Sequence, residues 1–366
     1  MKKLIIIQPA VAPYRVDFIN SLCGLFKTKI LLFRKNLLSQ TFDISWINSK
    51  LNQKPMLLTE RYGIARMKLP KGYITVMRRY KPDYILSTES GSYTILALAY
   101  KFIFNRKCKV ISVIDDNYEM AMGISGLTAR HKLAVKILGH MLDDIICVEP
   151  RVETIFQRKF SKGVYFPIIY DDKRLRSIYK SVLPISDAYI EKYSLAGKKV
   201  MLFVGRLSQE KNVLLAIKAF KEINHRDCIF VVIGSGPQEE MIRKESNENV
   251  NIIITGRLEG DELYAWYNIA QIFILPSLFE PFGAVTGEAL MAGCYSLVSS
   301  VAGSQYLIDC GKNGQIIDPN DKNDMKEKMI MAIDIVSYLK PQVELKPSYM
   351  PDYYDSYFER MINRIL

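Results

Sequence analysis

Two glutamates, Glu280 and Glu288, stand with seven residues between them, among them Gly283, Ala284 and Gly287. Ahead of them Ile272-Phe273-Ile274-Leu275 is a continuous apolar run that stops at Pro276. The stretch therefore reads as a buried strand, a loop, and a short helix that Gly293 terminates. Gly283 and Ala284 are small enough to admit a ligand to the N–H groups of the helix's first turn, and such a turn attracts anions. Carboxylates beside it would repel a bare phosphate. They suit a ligand that also carries hydroxyls, because a carboxylate accepts two hydrogen bonds from a vicinal diol. A phosphate joined to sugars meets both demands, and a nucleotide sugar is the obvious case. The plainer alternative has Glu280 capping the helix and Glu288 on a solvated face. Gly287 weighs mildly against an ordinary helix, since glycine there costs about 1 kcal/mol relative to alanine.

Other strand ends carry polar groups of the same kind. Phe203-Val204-Gly205-Arg206 through Lys211-Asn212 follows a strand-like run; Gly205 permits a tight turn, and Arg206 and Lys211 are placed to reach a pyrophosphate. Surface Arg and Lys are as a rule simply solvated, which is the competing explanation. Ile233-Gly234-Ser235-Gly236-Pro237 is not a dinucleotide fingerprint, because the third glycine would fall on Glu239. Thr255-Gly256-Arg257-Leu258-Glu259 presents either a base-edge contact or a plain connection. In the first half, Ile114-Asp115-Asp116 ends another apolar run, where adjacent acids bind hydroxyls, accept a proton or cap the next segment. No Asp-x-Asp strand-end metal motif is present, and the six cysteines and three histidines make no metal-spaced cluster.

These motifs need elements to position them. Strand candidates in the first half are Lys3–Gln8, Lys29–Phe33, Tyr84–Ser87, Lys109–Ile114 and Ile145–Val148, with helical patterns over Tyr14–Phe26, Ile74–Tyr80, Ser92–Phe104, Thr128–Met141 and Val152–Phe160. The second half alternates similarly: strands Val200–Val204, Ile229–Ile233, Asn251–Ile254, Ile272–Leu275 and Tyr295–Ser299, and helices Val213–Ile223, Glu239–Glu245, Glu262–Ile269, Ala284–Ala292 and Lys322–Ser337. Alternation of this sort predicts doubly wound parallel sheets, with ligands at the carboxyl ends of the strands. From Ile168 to Lys199 the pattern loosens around Asp171-Asp172, Pro184 and Ala196-Gly197, which reads as the crossing between domains. The expected division is 1–170 and 171–350, with a C-terminal amphipathic helix, 351–366, packed back on the first domain. Two facing domains would leave one cleft between them.

At 366 residues, 49% hydrophobic and 24% charged, the chain has an ordinary globular composition and room for two cores. The apolar run Leu4–Ile7 ends at Gln8-Pro9, too short for a signal peptide, and Tyr93–Phe104 is too short to span a bilayer. Scattered cysteines suit buried thiols in a reducing cytoplasm. The net charge of +12 is unevenly divided: residues 1–180 hold 31 Lys and Arg against 14 Asp and Glu, and the remainder holds 19 against 24. A basic half implies an anionic partner: nucleic acid, a membrane surface or a pyrophosphate-linked lipid. Arg61, Arg66, Lys68, Lys71, Arg78, Arg79 and Lys81 interleave with Tyr62, Met67, Ile74, Val76 and Met77, which suits an interfacial membrane contact as well as a solvated face.

Taken together the motifs resemble the retaining glycosyltransferases of family four, which have the GT-B architecture of two facing Rossmann-like domains. The resemblance is carried by Phe203-Val204-Gly205-Arg206 through Lys211-Asn212, Ile233-Gly234-Ser235-Gly236-Pro237, Thr255-Gly256-Arg257 and Glu280-Pro281-Phe282-Gly283 through Glu288-Ala289, in family order. Pro13-Tyr14-Arg15 resembles the first turn of many members and would lie on the acceptor side. The resemblance implies that Arg206 and Lys211 hold the donor diphosphate and that N–H groups at Gly283, Ala284 and Val285 bind its phosphates. It implies that Glu288 binds the ribose and Glu280 orients the sugar, with Gly205 and Phe282 in the donor-binding loops and Arg257 and Leu258 near the base. Two departures stand out. The turn after the first strand, Gln8-Pro9-Ala10-Val11-Ala12-Pro13, lacks the usual glycines, and the usual histidine after Ile114 is absent, which leaves Asp115 or Asp116 to contact the transferred sugar.

The expected function is sugar transfer from a UDP- or GDP-sugar to a glycan, lipid-linked and at the inner face of the cytoplasmic membrane, with no metal or other cofactor and no nucleic-acid partner. Two rivals stay open: a nucleotide-sugar epimerase or hydrolase on the same fold, and a non-catalytic module that docks on anionic lipid or nucleic acid.

Overall fold

The computed structural model describes residues 1–36, 42–58, 61–62, 69–70, 72–122, 129–247 and 251–366, and of 61–62, 69 and 129–132 it describes the backbone. The chain divides into two compact units, Met1–Ile168 with Asp355–Leu366, and Ile169–Tyr354. Each is an α/β layer structure around a parallel sheet.

In the first unit, strands β1 (Lys3–Gln8), β2 (Lys27–Leu32), β3 (Met56–Leu57), β6 (Tyr84–Thr88), β7 (Lys109–Ile114), β8 (Asp144–Cys147) and β9 (Val164–Tyr165) form one sheet in the order β3-β2-β1-β6-β7-β8-β9. The short antiparallel pair β4 (Arg61–Tyr62) and β5 (Leu69–Pro70) stands apart from it. The apolar runs read from the sequence are buried on both faces, as helices on each side of a parallel sheet require. Ile5, Ile85, Val110 and Ile145 join Tyr73, Tyr100 and Phe156 of the helices in one core. The C-terminal helix, Tyr354–Ile365, sets Phe358 against Phe18 and Phe166, and Tyr357 edge-on to Tyr165.

In the second unit β10 (Lys199–Val204), β11 (Cys228–Ile233), β12 (Ile252–Gly256), β13 (Ile272–Leu275), β14 (Tyr295–Ser299) and β15 (Gly314–Ile317) are ordered β12-β11-β10-β13-β14-β15, all parallel. That is the doubly wound order 3-2-1-4-5-6, whose switch point lies between the first and fourth strands. Met201, Phe203, Phe230 and Ile274 fill the core beneath the helices.

The segment expected as a loose crossing, Ile168–Lys199, is instead mostly helix, Asp172–Ser181 and Leu183–Lys192, and belongs to the second unit. Asp171 caps the first of these by accepting the Arg174 N–H at 2.9 Å, and Leu175 and Tyr179 bury one face. Pro184 stands in the first turn of the next, where its missing N–H costs nothing. Asp-Asp and Pro were start signals read as breakers. The strand β15 and the helix Ile44–Lys50 were also absent from the sequence reading.

Candidate functional site

Two of the sequence motifs, the loops that carry Lys211 and Glu280, meet at the switch point of the second unit. The loop leaving β10 and the loop leaving β13 are zipped together: the Leu278 N–H donates to the Glu210 carbonyl at 2.8 Å, and the Lys211 ammonium pairs with the Glu280 carboxylate. A second contact layer comes from the turn after β11. Its Gly234 has φ +152°, and a Cβ there would fall on the Gly205 carbonyl oxygen, while one on Gly236 would meet the Leu207 carbonyl oxygen at 2.5 Å. The Gly-Ser-Gly turn is thus glycine because two backbones touch, not because a dinucleotide lies on it. Leu207 N–H donates to the Ser235 carbonyl and Gln238 N–H to the Leu207 carbonyl, at 3.0 and 2.9 Å.

Glu280 is buried and its backbone is pinned from the far side by Gly303, whose N–H reaches the Glu280 carbonyl at 3.3 Å. Phe282 anchors the loop in the core, and Gly283 takes φ +92°, a conformation L side chains rarely adopt. The helix then runs Val285–Met291, with Ala284 as its leading residue. Glu288, one turn in, is buried, and its Oε2 accepts the Tyr267 hydroxyl at 2.7 Å. Tyr170 donates to the same carboxylate. Burial raises the pKa of Glu288, and the two phenolic hydrogen bonds work against that rise.

Arg206 is exposed beside this constellation. Arg257 and Leu258 are not drawn into it: they follow the edge strand β12, and Arg257 pairs with Glu259, its Nε at 3.0 Å from the carboxylate.

The first unit repeats the device at its own strand ends. Arg15, from the turn after β1, is buried and pairs with Asp115, at the end of β7; Tyr14 beside it is half-buried. Burial opposes the Arg15 charge, but Asp115, Tyr14 and Glu89 favour it and the balance raises its pKa. Asp116 is buried next to this pair. A group the sequence reading missed, Glu89, completes the cluster: its Oε1 accepts the Asp115 N–H at 3.1 Å. Glu89 has φ +61°, strained for a non-glycine. It is locked there by its N–H on the Val113 carbonyl at 2.8 Å and by Ser112 and Thr94 hydroxyls on its own carbonyl. Desolvation, then Asp115 and Asp116, push its pKa well above the usual carboxylate range. The signal was an acid between strand and Ser-Gly-Ser turn, which the sequence alone does not distinguish from a cap.

The fold and these loops define a class. Solved structures that superpose on the chain include Anabaena HepE in complex with UDP (TM-score 0.72, 14% identity, covering 91% of this chain and 90% of that one) and the lipopolysaccharide outer core galactosyltransferase WaaB in its apo form (TM-score 0.69, 15% identity, 99% of each chain). The fold is the GT-B fold of glycosyltransferases. Residues 186–337 match the family described as glycosyl transferases group 1, and that segment holds the motifs from Gly205 to Glu288. Among curated relatives, a 2-deoxystreptamine N-acetyl-D-glucosaminyltransferase of Niallia circulans is 33% identical over 135 residues, 36% of this chain and 35% of the relative. The chain matches only about a third of the length of the first such relatives, 33 to 39%.

Proposed function

We propose that the chain is a retaining, metal-independent glycosyltransferase that moves a sugar from a UDP- or GDP-sugar, held by the second unit, to a glycan acceptor. The observation that carries this is the Lys211–Glu280 pair bridging the two switch-point loops, with Glu288 one turn into the following helix. Cleaving a sugar–phosphate bond builds negative charge on the departing nucleotide. Lys211 and the exposed Arg206 supply the cations for the diphosphate, and the N–H groups at Gly283–Val285 add a helix start. Glu280, already fixed by its backbone, orients the sugar hydroxyls, and Glu288 takes the ribose diol. In a same-face displacement the bond from the anomeric carbon to phosphate oxygen breaks as the bond to the acceptor oxygen forms. The acceptor proton passes to the leaving phosphate, so no protein nucleophile and no metal is invoked. Asp115, Asp116, Tyr14 and Arg15 are assigned to the hydroxyl-bearing acceptor and transferred sugar.

The acceptor is assigned as lipid-linked, met at an anionic membrane face in the cytoplasm, in the making of a surface polysaccharide or lipopolysaccharide. Supporting this, the helix Ser92–Phe104 exposes Ile95, Phe102, Ile103 and Phe104, and Arg78 of the adjacent helix Tyr73–Tyr80 lies over the Phe104 ring. Leu133, Ile137 and Met141 add apolar surface at one-turn spacing on Ala129–Met141. Of the basic stretch read from the sequence, Arg66, Lys68, Lys71 and Met67 lie outside the described residues, as does Thr128. Among the described residues no helix is long and apolar enough to cross a membrane.

The test is thermal unfolding of the chain and of Glu288→Ala with UDP, GDP, ADP and CMP. At about a hundred times its dissociation constant a ligand adds roughly 2.7 kcal/mol. A shift with one nucleoside diphosphate that is lost in the variant is expected; no shift with any nucleotide refutes the donor site. Donor breakdown without acceptor would point to the hydrolase instead.

A further inference from the structure

A carboxylate that is to hold a diol has to be ionised and aimed, and burial works against the first. Glu288 is 6% exposed, yet the groups on its carboxylate are phenols rather than a cation. Tyr267 comes from the helix Gly260–Ile269, and Tyr170 from the segment that opens the second unit, two residues after the division at Ile168. Both are buried. A carboxylate offers about four lone-pair sites, so two phenols leave acceptor capacity for a ligand.

We infer that Tyr170 and Tyr267 are positioning residues for ribose recognition: together they fix the Glu288 carboxylate so that its remaining lone pairs meet the 2′- and 3′-hydroxyls of a nucleoside diphosphate. The inference rests on the donor-site reading above.

The surroundings separate this role from plain packing. Tyr179, on Asp172–Ser181, donates to the Glu288 main-chain carbonyl at 2.8 Å, not to the carboxylate, and Tyr264 stands edge-on to it at 5.7 Å. Arg176 spends its guanidinium on the Met291 and Lys346 carbonyls, at 2.8 and 3.0 Å, and Arg174 lies over the Tyr170 ring at 5.8 Å. Lys346 donates to the Ala270 and Tyr267 carbonyls, and the Cys294 thiol to the same two. The groups that act on the Glu288 carboxylate are the two hydroxyls. Removing either hydroxyl takes away a bond that favours the ionised form, so Glu288 keeps its proton to higher pH. A protonated acid accepts a diol poorly, so nucleotide affinity falls off at higher pH than before.

The experiment measures binding of UDP and GDP, and of their 2′-deoxy forms, by calorimetry across pH 5.5–8.5 for the full chain, Tyr170→Phe, Tyr267→Phe, Tyr179→Phe and Glu288→Ala, with melting temperature alongside. Each of Tyr170→Phe and Tyr267→Phe is expected to weaken the ribonucleotide about tenfold near the acid end, roughly 1.4 kcal/mol. Each also moves the acid limb upward and shrinks the ribo-over-deoxy preference, with the deoxynucleotide, which keeps only the 3′-hydroxyl, losing less affinity than the ribonucleotide. Tyr179→Phe loses a buried hydrogen bond of the same type; it is expected to melt earlier and to keep both the limb and the preference. If Tyr170→Phe does not fold, Tyr267→Phe carries the same test. Phenylalanine variants that bind like the parent, while Glu288→Ala loses the preference, overturn the inference alone. A Glu288→Ala chain that keeps the preference overturns the donor-site reading with it.

Discussion

Replacing Lys211 by alanine tests the switch point from both sides, stability and binding. The ammonium and the Glu280 carboxylate are 20% and 11% exposed. Removing one partner of a fully buried pair costs about 3–5 kcal/mol, because the other charge is stranded, whereas an exposed pair is worth less than about 1. Partial exposure puts this pair between those limits, at roughly 2 kcal/mol. For a unit the size of Ile169–Tyr354 that lowers the melting temperature by about 4–8 °C. The same ammonium is assigned to the diphosphate, and a lost charge-assisted hydrogen bond of about 1.5–3 kcal/mol weakens the nucleotide roughly ten- to 150-fold. Glu280→Gln separates the two effects, since it releases Lys211. Nucleoside diphosphate is then expected to bind as well as before or better, while sugar transfer falls. Calorimetry with UDP and GDP and melting curves on the two variants and their double mutant read all of this, with a coupling of about 1–3 kcal/mol expected between neighbours in contact. A Lys211→Ala chain that melts and binds like the parent refutes the reasoning, as does Glu280→Gln weakening the nucleotide as much as Lys211→Ala.

Gly234→Ala forces a Cβ onto the Gly205 carbonyl oxygen and is expected to cost more than about 3 kcal/mol or abolish soluble folding, because backbone cannot yield as a side chain can; urea titration measures it. Glu89→Gln changes the pH dependence of the first unit. Glu89 has its folded pKa raised, so the stability tied to its proton is present below the ordinary glutamate range and lost as pH rises through the raised value. The glutamine variant is expected to gain stability relative to the parent in going from pH 4 to pH 8, and denaturant melts at both ends that track the parent would refute it. Ile103→Asp, on an exposed position, is expected to move stability by less than about 0.5 kcal/mol and to abolish co-sedimentation with vesicles rich in anionic lipid; retained co-sedimentation would count against the membrane face.

β1, β7, β13 and β14 were legible because each is a short apolar run buried on both faces, and they fall where the runs predict them. Glu280, Lys211 and Gly283 were legible because a loop, a turn and a helix start leave local signatures. Tyr170 and Tyr267 were not, since nothing near either residue in the chain marks a hydroxyl that will donate to a distant carboxylate. Arg15 and Asp115 had been singled out separately, but their pairing spans 100 residues and comes from sheet order alone. Asp171-Asp172 and Pro184 misled for the opposite reason: their local signal is strong, and it marks a helix start as readily as a break.

Sheet order also explains why both units build the same device. In each, the first strand lies beside the fourth, so the loop leaving strand one opens at a place where no crossover covers the strand ends. Each loop sends in a cation that is paired there, Arg15 or Lys211, and each of these meets an acid from a strand on the other side of the switch, Asp115 after β7 or Glu280 after β13. Such a pair satisfies two charges that would otherwise sit half-desolvated and unpaired. On the proposed assignment, a ligand takes the place of one partner. A diphosphate suits the cation of the second unit, where small residues and a helix start lie alongside. In the first unit Glu89, whose pKa is pushed well above the usual range, and Asp116 set further carboxyl groups beside the pair, which suits hydroxyls better than a phosphate. On the proposed assignment, donor phosphate and sugar hydroxyl are told apart by these neighbouring groups, not by any difference in sheet order.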